Sequence, residues 1–286
     1  MTSSADLLAR FGTRADSLVA HEFGFEPVGP GVERVAGFFP EGFVALQTHR
    51  QGGGSSGPYS TFNLGDHVGD DPVVVDTNRR QLAAHVAGSI PWLRQVHGTR
   101  VTLAESALTT ECEADGALTD QVGQPCVVMT ADCLPLLVAR PSTGQCAAIH
   151  AGWRGLCEGV IESGLKRMAE QPAPPGATDD WYVWMGPAIG PDAFEVGDEV
   201  RQAFADRDPI SLEAFSAATN RPGKWHADLA GLAVGRIAAW ACAAKTSPRI
   251  RIAAATDCVF SNSQRYFSYR RDGRTGRMAS LIYRAP

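Results

Sequence analysis

Residues 130–155 read TADCLPLLVARPSTGQCAAIHAGWRG, and the fold turns on how this stretch is parsed. LPLLVA and QCAAIH are two apolar runs, and RPSTG between them carries the Pro, Ser, Thr and Gly of a turn. The spacing predicts a β-hairpin. If Arg140 and Gln145 close it, His150 falls opposite Pro135, with Cys133 two positions further along. Side chains alternate with period two, so Cys133 shares a face with Pro135. Diagonal neighbours in an antiparallel pair lie roughly 7–8 Å apart, near enough for both side chains to reach one ion. After His150, GWRGL runs straight into a helical pattern, where unpaired backbone N–H groups and Arg154 suit an anion. Taken alone, GWRG reads rather as a tight turn with a packed Trp153.

Outward from the hairpin, CVVMT (126–130), WYVWMG (181–186) and RIRIAAA (249–255) read as buried strands. GFVALQT (42–48) reads as another, and LRQVHG (93–98) as a short one ending at His97. YFSYR and MASLIYR are expected as a second hairpin around RDGRTG. Helical spacing covers 71–86, capped by Asp71 and Pro72, as well as 155–170, 192–204 and 226–244. Residues 1–38 form a weakly patterned leader, a helix near Asp6 to Ala20 and then loop. Residues 39–286 make one catalytic domain. Hairpins mixed with helices, without strict alternation, point to an α/β (α+β) fold of mixed sheets with flanking helices.

Composition narrows the function. The chain has 286 residues, 44% hydrophobic and 20% charged, with a net charge of −5, which gives nucleic acid no general footprint. Charge is uneven, however: eight arginines between Arg249 and Arg284 face only Asp257 and Asp272, a cluster suited to an anionic substrate or to a solvated strand pair. Seven cysteines without regular spacing, no signal-peptide pattern at MTSSADLLARFG and no apolar run of spanning length point to the cytoplasm, with thiols free or metal-bound. Cys112, Cys126, Cys146, Cys157, Cys242 and Cys258 read as small core or surface thiols. Trp181 and Trp184 read as sheet packing.

A metal site needs a third ligand beside Cys133 and His150. Of the remaining histidines, His97 before a glycine is the best placed, whereas His21 and His85 look helical or peripheral. Two histidines and a thiolate fit zinc with an open fourth position; with Met129 as a weak axial ligand the same set describes blue copper. A four-copper oxidase would need about ten paired histidines by its chemistry. Seven are present, with no His-x-His.

QVHG, TADCLP, HAGWRGL, GPAIGP, AFEVGDEV and FSYRRDGRTGRMAS, in this order, resemble the YfiH-like family, from about Gly42 to Tyr283. Its members have been labelled multicopper polyphenol oxidoreductases (laccase domain proteins), purine nucleoside phosphorylases and peptidoglycan editing factors. The resemblance implies the family's mixed-sheet fold and the metal ligands His97, Cys133 and His150. Its early motif, matching THRQGGGSSGPYSTFNLGDHVGD, implies Arg50, Asn63 and Asp66 as pocket residues. It also implies phosphorolysis of adenosine, inosine and methylthioadenosine, with deamination of adenosine. Phosphate would be held by Arg50, Arg154 and the Arg270–Arg271 pair. Zinc, with copper as the alternative, would activate water, and Asp132 or Asp115 would shuttle the proton. The partners expected are a nucleoside and phosphate, for a monomer or homodimer away from nucleic acid and membrane. Two other readings stand beside this one: a cysteine- or zinc-dependent hydrolase editing cell-wall precursors, with Cys133 as nucleophile and His150 as base, and a non-enzymatic metal-binding protein.

Overall fold

Every residue of Leu134–Arg140 and Gln145–Ala151 is buried, so these strands have no solvent face and belong at the centre of a sheet. The computed structural model describes residues 3–12, 17–109, 112–244 and 248–286. In it the two strands form the middle of a seven-stranded mixed sheet. Its order is Leu18–Ala20, Arg249–Ala254, Asp180–Met185, Leu134–Arg140, Gln145–Ala151, Gly116–Thr119 and Val101–Leu103. The inner pairs are antiparallel and the outer ones parallel. A second, antiparallel sheet runs Gly24–Gly29, Val32–Ala36, Phe43–Thr48, Met278–Arg284 and Cys126–Thr130.

Period-two alternation sorts the hairpin's side chains into two cores. Leu136, Val138, Ala147 and Ile149 pack with Leu165 and Ile237 of the helices Val160–Ala169 and Leu229–Ala243. Leu137, Ala139, Cys146 and Ala148 pack with Ala45, Val128 and Ile282 of the second sheet. The far side of that sheet, with Leu46, Val127 and Leu281, is covered by Phe62, Leu64 and Leu82, the last from the helix Pro72–Ala83. The molecule is therefore layered helix, sheet, sheet, helix. Each fully buried Leu or Ile contributes about 1.5–3 kcal/mol, so the long inner strands rather than their short neighbours set the register. Trp181 and Trp184 are fully buried packing residues, as expected. Among the described residues no helix is long and apolar enough to cross a membrane.

Several local expectations need correction. LRQVHG is not a strand; only Arg94 makes an isolated bridge, to Glu113, because the segment's N–H groups are claimed by a side chain. YFSYR is not the arm of a hairpin. Ser268 caps a short helix, Tyr269–Asp272, its side chain accepting from the Arg271 N–H. The expected helix over 155–170 is two, Trp153–Glu158 and Val160–Ala169, divided by Gly159 at φ 104°. The expected helix near Asp6 to Ala20 spans Ser4–Phe11; residues 13–16 of that expectation lie outside the described residues. Where loop was expected, Leu18–Ala20, Gly24–Gly29 and Val32–Ala36 are strands. They are short and half exposed, and Gly24–Gly29 contains a proline, so the alternation that marks a strand is weak in them.

Candidate metal centre and substrate pocket

The hairpin has the expected register: Arg140 pairs with Gln145 and Pro135 with His150, through a turn that ends at left-handed Gly144. His150, in phase with Cys146 and Ala148, leaves the strand toward the second sheet, and Cys133 stands immediately before the neighbouring strand, Leu134–Arg140. His97 arrives from the 93–98 loop. One ligand atom from each of the three lies within 4.8 Å of the others. The Cys133 Sγ to His97 Nε2 distance is 3.7 Å, and the two imidazoles meet edge to face at 4.8 Å.

One carboxylate organises this cluster. Asp115 is fully buried. Its Oδ1 accepts from the His97 N–H at 2.9 Å and from His150 Nδ1 at 2.8 Å; its Oδ2 accepts from the N–H groups of Val96 at 3.2 Å and Gly98 at 2.7 Å. Burial alone would raise the Asp115 pKa, but the His150 hydrogen bond and charge, with the backbone donors, hold it below the usual carboxylate range. An ionised carboxylate only accepts, so His150 Nδ1 carries the proton and Nε2 is left as the ligand atom. The backbone bonds also hold His97 at φ 59°, a left-handed conformation that a non-glycine residue keeps only under such constraint.

Glycines of the HAGWRG stretch let this loop in. A Cβ on Gly152 would lie 2.5 Å from His97 Cδ2, and one on Gly155 would lie 2.6 Å from the Gly98 carbonyl oxygen. The short helix Trp153–Glu158 therefore serves to pack against the histidine loop. Burial opposes charge on Cys133, yet the His150 charge and hydrogen bonds from His150 and His97 outweigh it and bring the thiol down to about 6. Burial likewise opposes charge on His150, and the Cys133 thiolate with the Asp115 hydrogen bond raises it to about 9. Two imidazoles and a low-pKa thiolate, one imidazole oriented by a buried carboxylate, fit a borderline-soft divalent ion with an open coordination position.

The cluster opens on a cavity of about 450 Å³, within the range of small-molecule sites. Asp132 lines it at φ 98°, accepting from Ser268 Oγ and the Arg270 N–H, each at 2.6 Å; burial raises its pKa above the ordinary value against those bonds. Met129, Ile189, Phe194 and Tyr269 supply apolar walls, and Ile189 gives the GPAIGP loop a place on the pocket.

Other expected site residues go elsewhere. Arg50 donates to the carbonyls of Ser60 at 3.0 Å and Ser263 at 2.9 Å, beside a separate shallow depression. Arg154 is exposed and stacks on Trp153 at 4.5 Å. Arg271 spends its guanidinium on the carbonyls of Val259, Phe260 and Tyr266 and on Asp272. Asp66 pairs with Arg79 at 3.2 Å. Asn63 is fully buried and acts behind the wall, accepting at Oδ1 from the N–H groups of Gly65 and Arg277, each at 2.9 Å. Because 269–272 is a helical turn rather than a hairpin arm, the Arg271 guanidinium faces backbone carbonyls.

Of the arginines expected to hold phosphate, Arg270 does line the cavity, and His67, Gln95 and Arg277 line it beside Arg270. His67 and Arg277 belong to the motifs NLGDHVGD and RDGRTGRMAS, yet nothing in the spacing says which way their side chains point.

A family described as multi-copper polyphenol oxidoreductase laccase matches residues 44–285. A Pseudomonas aeruginosa protein named purine nucleoside phosphorylase is 43% identical over 239 residues, covering 84% of this chain and 92% of that protein. One from Escherichia coli K12, named purine nucleoside phosphorylase YfiH, is 40% identical over 248 residues, covering 85% and 95%. A Neisseria meningitidis crystal structure superposes with a TM-score of 0.80 at 38% identity, over 90% of this chain and 100% of that one.

Proposed function

Since the chain belongs to the YfiH-like family, which carries the description multi-copper polyphenol oxidoreductase laccase, we propose that it is a zinc-dependent purine nucleoside phosphorylase. Its substrates are adenosine, inosine and methylthioadenosine, with a second activity as an adenosine deaminase. The observation that carries this reading is the His97–Cys133–His150 cluster opening on one cavity that also holds two arginines and an aromatic wall. The names of the relatives point the same way.

His97, Cys133 and His150 hold the zinc, with copper as the alternative ion. When bound, zinc acts as a Lewis acid and lowers the pKa of water to about 7. Asp115 keeps the two imidazoles in place and is sealed from the cavity by its four donors. Of the two carboxylates expected to shuttle protons, Asp132 is therefore the one that reaches substrate. Its burial-raised pKa suits it to hold a proton for the departing base. Ile189, Phe194 and Tyr269 offer the apolar and aromatic surface a purine requires. Seven cysteines with no disulfide among the described residues suit a reducing cytoplasm.

One observation favours a second reading. Cys133, His150 and Asp115 also form a nucleophile, base and orienting acid in series, which suits a cysteine hydrolase acting on cell-wall precursors. The metal discriminates between the two, because a zinc-bound thiolate is a poor free nucleophile.

The test is release of hypoxanthine from inosine and adenine from adenosine by pure protein, with and without phosphate, beside Cys133→Ala and a chelated sample. Phosphate-dependent release, abolished by the substitution and by chelation and restored by zinc, is expected. Chelated enzyme that cleaves amides while zinc inhibits it would instead establish the hydrolase.

A further inference from the structure

The basic side chains around the cavity differ in how firmly they are held rather than in how many acceptors they meet. Arg270 donates Nη1 to the Glu195 carbonyl at 2.7 Å and lies over the Phe194 ring at 5.3 Å. His67 turns Nδ1 to Asp66 at 3.4 Å. Arg277, like the exposed Arg270, donates from Nη1 alone, to the carbonyls of Thr275 at 3.2 Å and Gly276 at 3.1 Å, but it is half-buried. Among the described residues, no acceptor meets its Nε or Nη2, and no carboxylate forms an ion pair with it.

Yet this side chain is held firmly. Its backbone N–H is bonded to Asn63 Oδ1 at 2.9 Å. Its stem lies against Gly65, where an added Cβ would come within 2.7 Å of Arg277 Cγ. Its charge faces Cys133 and Asp132, and its unpartnered Nε and Nη2 are open to the cavity, where a ligand anion can complete the fork. A planar fork pairs best with a phosphate or carboxylate.

We propose that Arg277 is the anchor for inorganic phosphate, holding the dianion in the cavity shared with His97, Cys133 and His150, in an orientation set by Asn63 and Gly65. This assignment rests on the phosphorolysis reading. In that reaction a phosphate oxygen forms the new bond to C1′ of the ribose as the C1′–N9 bond breaks. The bonding pair leaves on the base, which takes up a proton. Arg277 keeps its proton throughout and acts by position and charge.

The experiment varies phosphate and inosine separately in zinc-loaded protein and in Arg277→Gln, with circular dichroism confirming that the variant folds. Loss of a charge-assisted contact should raise the KM for phosphate by about 10- to 100-fold, while the KM for inosine moves by less than about threefold; Arg277→Lys should recover part of the loss. An unchanged KM for phosphate, or equal rises for both substrates, overturns the assignment and leaves phosphorolysis standing. Absence of any phosphate-dependent base release in the unmodified protein defeats the phosphorolysis reading itself. Calorimetric titration with inorganic phosphate then decides separately: binding to the unmodified protein that Arg277→Gln abolishes supports the anchor. No binding, or binding that Arg277→Gln leaves unchanged, overturns it.

Discussion

Asp115→Asn changes one atom and should disable the metal centre. Both carboxylate oxygens accept two N–H groups, so whichever side the amide NH2 takes, donor faces donor. Metal affinity should fall by about 10- to 100-fold, read by competition with a chromophoric chelator; undiminished affinity would show that Asp115 does not set the imidazoles. Proton linkage gives a second expectation. Between about pH 6 and 9 Cys133 is already a thiolate, whereas His150 carries a proton that the metal must displace. Affinity should therefore rise about tenfold per pH unit across that window and fall more steeply below it, where the thiol is protonated too. A flat profile in cobalt titrations would contradict this. Cys133 and His150 were legible in the sequence because a hairpin's register is local arithmetic. Arg277 was not, since its direction depends on Gly65 and Asn63, more than two hundred residues away.

Among the elements, the contact of the inner strand with its covering helix carries a sharp expectation. Ile149 occupies a notch left by Gly164, where a Cβ would lie 2.6 Å from Ile149 Cδ1. Ile149→Ala should destabilise the protein by about 2–5 kcal/mol, and Gly164→Ala by about 1–3 kcal/mol through overpacking. Combining Gly164→Ala with Ile149→Val should cost less than the sum of the two single changes; additive denaturant midpoints would mean that the residues do not meet. Helices with a good cap and strong periodicity were readable, as with Asp71 at Pro72–Ala83. The break at Gly159 was not, because a glycine inside an apolar period is as easily tolerated as it is used to stop a helix. The 93–98 segment misled for a different reason: its alternation looked like a strand, but Asp115 had taken its hydrogen bonds.

At the scale of the whole molecule, mixed sheets with flanking helices could be read from the order of elements. The four-layer arrangement could not, since it depends on which sheet each short edge strand joins. Residues 1–38 show why this matters. Leu18–Ala20 pairs with Arg249–Ala254, and Val32–Ala36 pairs with Phe43–Thr48 and buries Val32 and Val35. Removing residues 1–38 should therefore expose an edge in each large sheet and give insoluble protein, or protein with a clearly lowered denaturant midpoint. A soluble product of unchanged stability would show that those strands are dispensable.

The carboxylate clasp on the two histidines has a consequence for which ion the protein carries. The hairpin register, the glycine contacts and Asp115 gather the three donors through contacts the chain itself makes, so the centre is expected to be largely formed before an ion arrives. A site already formed ranks ions by their intrinsic preference for nitrogen and sulfur, and on that scale copper stands above zinc. Occupancy of the proposed centre is then expected to follow the supply of each ion in the compartment, checked by metal analysis of protein made under zinc-rich and copper-rich conditions.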